Sequence, residues 1–307
     1  MSNRDAGVRA GRAALLDLLA ELLLHELEEP TASVLAGDPA LSALLEPPRD
    51  DHALGELRAE YTRLFLIEVP PYASVYLDAP PVVGGEASLR WERFVAAHRL
   101  MPASLERAAA ADHAGLYLRA LAAAERGDVA GPVLREALRW LPLYFTAVRR
   151  HDEAGFYGRV ADVAAHTLEK CARASRVDVD LDPEEEPPEP EDEGLREIAR
   201  WLATPAWSGW FLSKRALRRL AEPFAASLGM VDRGQMLEQV FEGSALDERT
   251  AELLDALLEE WRHWQAALEA WRQGLGIWAP ALDGWSVRLE RTRARLRAMR
   301  AALASPA

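Results

Sequence analysis

Leucines 15, 16, 18, 19, 22, 23 and 27 recur at intervals of three and four residues, which lays one apolar stripe along a helix ending before Pro30. Leu54, Leu57, Tyr61, Leu64 and Phe65 repeat the spacing, and so do Leu254, Leu257, Trp261, Trp264, Leu268 and Trp271. A stripe of that period cannot line one face of a strand, whose side chains alternate every second residue. No sustained period-two run of β-branched residues precedes residue 176, and no Asn-Gly hairpin dipeptide occurs. The chain is therefore expected to be all-α.

Further segments fit that reading. A short helical stretch is expected over Pro39 to Leu45, and one from near Asp51 running through Phe65. Another follows Gly84 and Gly85, with Leu89, Trp91, Phe94 and Val95 available for burial. The alanine-rich run after Pro102 predicts one long helix stopped at Gly127, and two more are expected over residues 131–151 and 153–174.

Between Asp178 and Glu193 lie ten acidic residues, four prolines and no basic residue. Such a composition offers too little apolar area to offset its ordering entropy, so it reads as a linker. The expected organisation is a helical domain over 1–175, an acidic linker over 176–194 and a helical extension over 195–307. That extension holds eight of the ten tryptophans. Ser213 is a plausible N-cap, and Asp232 with Gln235 makes a capping-box pattern. A helix from about Leu246 to Gln273 is expected to turn at Gly274, Gly276, Pro280 and Gly284. An antiparallel return helix from about Trp285 to Ala302 would bury the tryptophans, and its arginines at 288, 291, 293, 295, 297 and 300 would pair with acidic neighbours.

Charge narrows the partners. With 36 basic and 49 acidic residues the chain carries a net −13, which disfavours nucleic acid and anionic membranes and favours a cationic partner. A single cysteine, Cys171, allows no internal disulfide, and no run approaches the roughly 18 apolar residues of a membrane span. A cytoplasmic place without membrane insertion is expected.

No catalytic constellation emerges. The seven histidines make no tight metal-ligand spacing, and there is no nucleophile elbow, phosphate-binding loop or dinucleotide fingerprint. Asp112 and His113 form the only tight acid and histidine pair on an inward-facing helix, and adjacent helical side chains diverge by about 100°. The reading calls for no enzyme activity, no metal and no cofactor.

What remains is the stretch EYTRLFLIEVPPYASVYLDAPP, Glu60 to Pro81. Pro70 and Pro71 end a helix, and Tyr72, Ser74, Tyr76 and Asp78 are expected to follow in an extended, polar-decorated loop. Rigid backbone and aromatic faces suit peptide binding, and equally suit a cap over the core.

The motif resembles the signature of the TorD/DmsD/NarJ family of cytoplasmic chaperones for molybdenum oxidoreductases. Tyr61, Leu64, Phe65, Pro70, Pro71, Tyr72, Ser74 and Tyr76 carry the likeness. Asp112, His113 and Leu116, then Trp140, Leu141 and Pro142, follow in the family's order over roughly residues 10–175. Tyr117, Arg119 and Glu136 depart from its usual pattern. The resemblance implies a TorD-like helical bundle that binds the N-terminal, often twin-arginine, signal of an apo-molybdoenzyme catalytic subunit, assists cofactor insertion and delays export. It implies partner-binding roles for Tyr61, Phe65, Pro70, Pro71, Tyr72, Ser74, Tyr76, Asp78, Asp112 and His113, with Asp78 and Asp112 as acceptors for arginines. A homodimer is among the partner states it admits. The alternative is a non-enzymatic scaffold that binds a partner through the tryptophan-rich extension.

Overall fold

A computed structural model describes residues 3–46, 51–100, 110–127, 129–175, 194–224, 226, 228–229 and 231–304. The chain divides into two compact units, Met1–Val75 with Val82–Val179, and Tyr76–Pro81 with Asp180–Ala307. The described residues are all-α. They contain no strand, and their one extended pairing is an isolated antiparallel bridge between Tyr72 and His113.

In the first unit α1, Asn3–Leu24, is followed by α2, Glu29–Gly37, which accepts Pro30 in its first turn, where no N–H partner is needed. A 3₁₀ turn, Ser42–Leu45, precedes α3, Asp51–Tyr61, and a π-helical turn, Thr62–Glu68. Then come the start of α4 (Ala73–Leu77, of which Tyr76 and Leu77 belong to the second unit), α5 (Glu86–Ala97), α6 (Ala114–Arg126), α7 (Ala130–Leu138), α8 (Leu141–His151) and α9 (Phe156–Ser175).

The leucine stripe of α1 packs on α6, and Leu16, Leu19, Leu23, Leu118 and Leu121 are fully buried. Burying each such side chain contributes roughly 1.5–3 kcal/mol. The two helices approach closely where Gly115 faces Ala20 and Leu24: a Cβ there would lie 2.5 Å from Leu24 Cγ and 2.9 Å from the Ala20 carbonyl oxygen. Arg12 clasps the buried Glu125 carboxylate across the same interface, at 2.8 and 2.5 Å. Burial, and secondarily Glu125, pushes the Cys171 thiol up to about 12, so it is an inert core residue.

Two expected helices are placed differently. The alanine-rich helix starts at Ala114, so Asp112 and His113 precede it; residues 101–109 lie outside the described residues. The segment 131–151 is two helices broken at Arg139 and Trp140, because Pro142 supplies no N–H for the Leu138 carbonyl and crowds it. In α5, Trp91 and Val95 are buried as expected, whereas Leu89 is exposed.

The second unit holds Tyr76–Pro81 and α10 (Leu195–Ala203), α11 (Pro205–Ser208), α12 (Lys214–Ala221), α13 (Arg233–Leu246), α14 (Thr250–Gly274) and α15 (Ala279–Ala304). The Ser213 hydroxyl accepts from Ala216 N, and the Asp232 carboxylate from Gln235 N, so both expected N-caps are made. Helices α14 and α15 form an antiparallel hairpin, with Asp255 against Arg300, Trp261 against Leu289 and Arg272 against Asp283. The return helix begins six residues before Trp285, because Pro280 is tolerated in a first turn.

Trp201, Trp210, Trp261, Trp264, Trp271, Trp278 and Trp285 are buried, and Trp207 is half-buried. Two of the indole N–H groups find backbone acceptors inside: Trp210 donates to the Leu202 carbonyl at 2.7 Å and Trp261 to the Leu289 carbonyl at 2.8 Å. Gly209, at φ +76°, lets α11 meet α15, since a Cβ would sit 2.5 Å from Leu289 N. The linker expected over 176–194 lies outside the described residues except for Gly194, which precedes α10.

Candidate functional site

The motif begins where α3 widens into the π turn. Val69 N donates to the Leu64 carbonyl five residues back, at 2.6 Å, and this wider winding buries Leu64 and Phe65 while Leu66 is 64% and Ile67 46% exposed. Tyr61 and Phe65 face the core. The Tyr61 hydroxyl donates to the Leu23 carbonyl at 3.1 Å, and both rings meet Tyr157 edge-on, at 5.9 and 5.0 Å.

Past the half-buried Pro70 and the buried Pro71, the chain is not extended beyond Tyr72 as the two prolines suggested. It winds into α4, because residues 38 positions away supply the partners a short helix lacks. Ala114 N donates to the Pro71 carbonyl at 2.8 Å, and Ala73 N to the Asp112 carbonyl at 3.0 Å. The Asp112 carboxylate then accepts from Ser74 N at 2.8 Å, capping the first turn of α4. Ser74 in turn accepts from Gly84 N at 3.2 Å, which ties down the far side of the loop.

Asp112 is 0% exposed. One of its carboxylate oxygens is engaged by Ser74 N, so in this structure Asp112 holds the loop. His113 is the N-cap of α6, its Nδ1 accepting from Gly115 N at 3.1 Å, which places the proton of the neutral ring on Nε2. Burial first, then repulsion from His25 and Arg119, lowers its pKa to about 3, so the ring is neutral at ordinary pH.

Tyr72 is the half-exposed aromatic of this cluster. Its ring meets His113 edge-to-face at 5.2 Å, and burial, then Asp112, raises its phenol above the usual range. Pro71, Tyr72, Ser74, Asp112 and His113 are thus brought together in the first unit. Tyr61 and Phe65 are in the core beside it. Tyr76 and Asp78 belong to the second unit, where Tyr76 is buried and stacks on Phe211 at 5.3 Å, and Asp78 is half-buried.

Two features escaped the sequence reading. One is apolar exposure on both sides of the motif, Leu66 and Ile67 before it and Val82 and Val83 after it. The signal available was the apolar pairs themselves, which continue no helical stripe. The other is a part-buried ionic knot: Arg63 grips Glu60 with two bonds of 2.7 and 2.6 Å, and Glu60 also accepts from Glu153 N at 2.8 Å. Burial and the neighbouring Glu60 raise the pKa of Asp152 against the opposing Gly158 N–H. The i,i+3 spacing of Glu60 and Arg63 was its only sequence trace. Among the described residues no group of three or more His, Cys, Asp or Glu is placed to hold a metal ion, and no helix is long and apolar enough to cross a membrane.

Comparison with known proteins bears on the same region. Residues 5–153 match the family described as nitrate reductase delta subunit. Chaperone protein TorD of Psychrobacter sp. (strain PRwf-1) is 32% identical over 145 residues, covering 39% of this chain and 65% of that relative. The match therefore stops short of two thirds of the relative's own length. The matched residues contain both halves of the cluster, Tyr72 with Ser74 and Asp112 with His113. Over residues 5–153 the chain is similar to the nitrate reductase delta subunit family, the TorD/NarJ group whose signature its proline and tyrosine motif resembles.

Proposed function

We propose that the chain is a non-enzymatic maturation chaperone for a molybdenum oxidoreductase, binding the N-terminal, twin-arginine signal region of the apo catalytic subunit in the cytoplasm. It would hold that subunit until its cofactor is inserted and delay its export. The family match and the TorD-named relative support the general role.

One observation carries the finer reading. A half-exposed tyrosine on a loop fixed at both ends is flanked in sequence by exposed apolar side chains, Leu66 and Ile67 before it and Val82 and Val83 after it. Such a surface suits the apolar part of a signal segment, and the excess negative charge of the chain suits its arginines. Pro70 and Tyr72 are the proposed contacts in the first unit. Pro71, Ser74, Asp112 and His113 hold them in place, and Asp78 is the proposed arginine acceptor on the second unit. Tyr61, Phe65 and Tyr76 act through packing.

Coexpression with a molybdoenzyme catalytic subunit tests the role. A complex that survives purification, and a fall in that enzyme's cofactor content when the chaperone is deleted, are expected. No complex and unchanged cofactor content would refute it. The alternative, a scaffold binding through its tryptophans, has no observation in its favour, since seven of the eight in the second unit are buried.

A further inference from the structure

In the second unit, α13 opens on Arg233, directly after its N-cap Asp232. The Arg233 guanidinium lies 4.2 Å from the centroid of the Phe211 ring, and Tyr76, the last tyrosine of the motif, stacks on the same ring at 5.3 Å. Arg233 Nη1 is enclosed and makes no hydrogen bond, and the side chain forms no ion pair among the described residues. The residue as a whole is half-buried, so solvent reaches part of it.

Other arginines of the same unit are treated differently. Arg196, Arg249 and Arg300 are more exposed, and each meets a carboxylate, at 2.8, 2.6 and 3.2 Å. Arg233 is the more enclosed charge, where a missing counter-charge is most costly. Burial lowers its pKa to about 10, against the weaker raising effects of Tyr76 and Asp232, so it stays charged at neutral pH. Asp232 does not neutralise it. That carboxylate is exposed, accepts from Gln235 N at 2.9 Å and makes no ion pair with Arg233. On α10 the exposed Arg200 adds positive charge to the same helix start: a Cβ at Gly234 would lie 3.5 Å from Arg200 Cγ.

We propose that Arg233 anchors a carboxylate-binding site in the second unit, taking one carboxylate from a small organic acid or from an acidic side chain of a bound protein. The planar fork of a guanidinium matches the two oxygens of a carboxylate, and the start of α13 contributes further partial positive charge. The nearby Asp232 and the net charge of −13 disfavour a multiply charged anion. The inference is independent of the client-binding reading.

Arginine side-chain NMR of the full chain tests it, with sodium acetate titrated against sodium chloride at equal ionic strength. Arg233→Met identifies the Arg233 signal by its loss, and Arg233→Lys serves if the first variant does not fold. Acetate is expected to shift that signal saturably, whereas chloride is not. A response without saturation, or one that chloride reproduces, would overturn the proposal. Thermal melts give a second readout. At ten times its half-saturating concentration, acetate should shift the folding equilibrium of the wild type about elevenfold and leave that of Arg233→Met or Arg233→Lys much less changed. An equal shift in wild type and variant would overturn the proposal. A short peptide with one glutamate, blocked at both ends, assigns the source: saturation at a lower concentration than acetate indicates a bound protein, and saturation at the same concentration a free acid.

Discussion

The Asp112 carboxylate accepts the backbone N–H of Ser74 at 2.8 Å across 38 residues of sequence, and this bond joins the two halves of the motif. Removing it should loosen the loop before it loosens the fold. Asp112→Ala is expected to cost about 1–3 kcal/mol, from a lost cap and a buried N–H left without a partner. Asp112→Asn, which keeps an acceptor, should cost less. Urea denaturation checks this as a lower midpoint at unchanged slope.

Tyr72 and Tyr76, four residues apart, should separate binding from stability. Tyr76 is buried against Phe211, so Tyr76→Ala is expected to cost about 3–5 kcal/mol, in the range of large aromatic truncations. Tyr72→Ala, at a half-exposed position, should cost far less while weakening client binding. Thermal melts of both variants beside a client pull-down test the split.

Much of this was legible in the sequence, and the exceptions share a cause. Stripes of leucine and tryptophan at helical spacing announce α1, α3 and the α14–α15 hairpin, and Ser213 and Asp232 mark helix starts through contacts three residues long. The course of the motif was not legible. A π turn has no side-chain period to read, and α4 forms after two prolines only because Asp112 and Pro71 pair with residues from the other half of the motif. The sequence places Asp112 and His113 as an inward-facing pair within a helix, and both are enclosed, but they precede α6 and the contacts that fix them come from the other half of the motif. The residues between the motif halves carry no trace of the bridge that joins them.

Gly115 is the point of closest approach between α1 and α6. Gly115→Ala would place a methyl 2.5 Å from Leu24 Cγ and 2.9 Å from a backbone oxygen that cannot retreat cheaply. A loss of about 1–3 kcal/mol is expected. Adding Leu24→Ala should recover part of the clash, which a double-mutant cycle would show as coupling of about 0.5 kcal/mol or more.

His113 should steepen acid unfolding. Its folded pKa, about 3, is depressed below the ordinary 6.5, so the unfolded chain binds the proton more readily. The stability it contributes is complete above pH 6.5 and is lost as the pH falls from there towards 3, at no more than about 1.4 kcal/mol per pH unit. His113→Asn, which retains an N-cap acceptor, should flatten that slope. Urea midpoints measured from pH 7 down to pH 4 would show it.

The central claim is that the fixed Tyr72 loop binds a cationic and apolar signal segment. Calorimetric titration of the full chain with the signal peptide of a client subunit tests it most directly. The account predicts saturable binding that weakens about tenfold, roughly 1.4 kcal/mol, both for Tyr72→Ala and for a peptide whose two arginines are replaced by glutamine. Binding of equal strength by wild type and Tyr72→Ala, or no binding by either at unchanged fold, would contradict it.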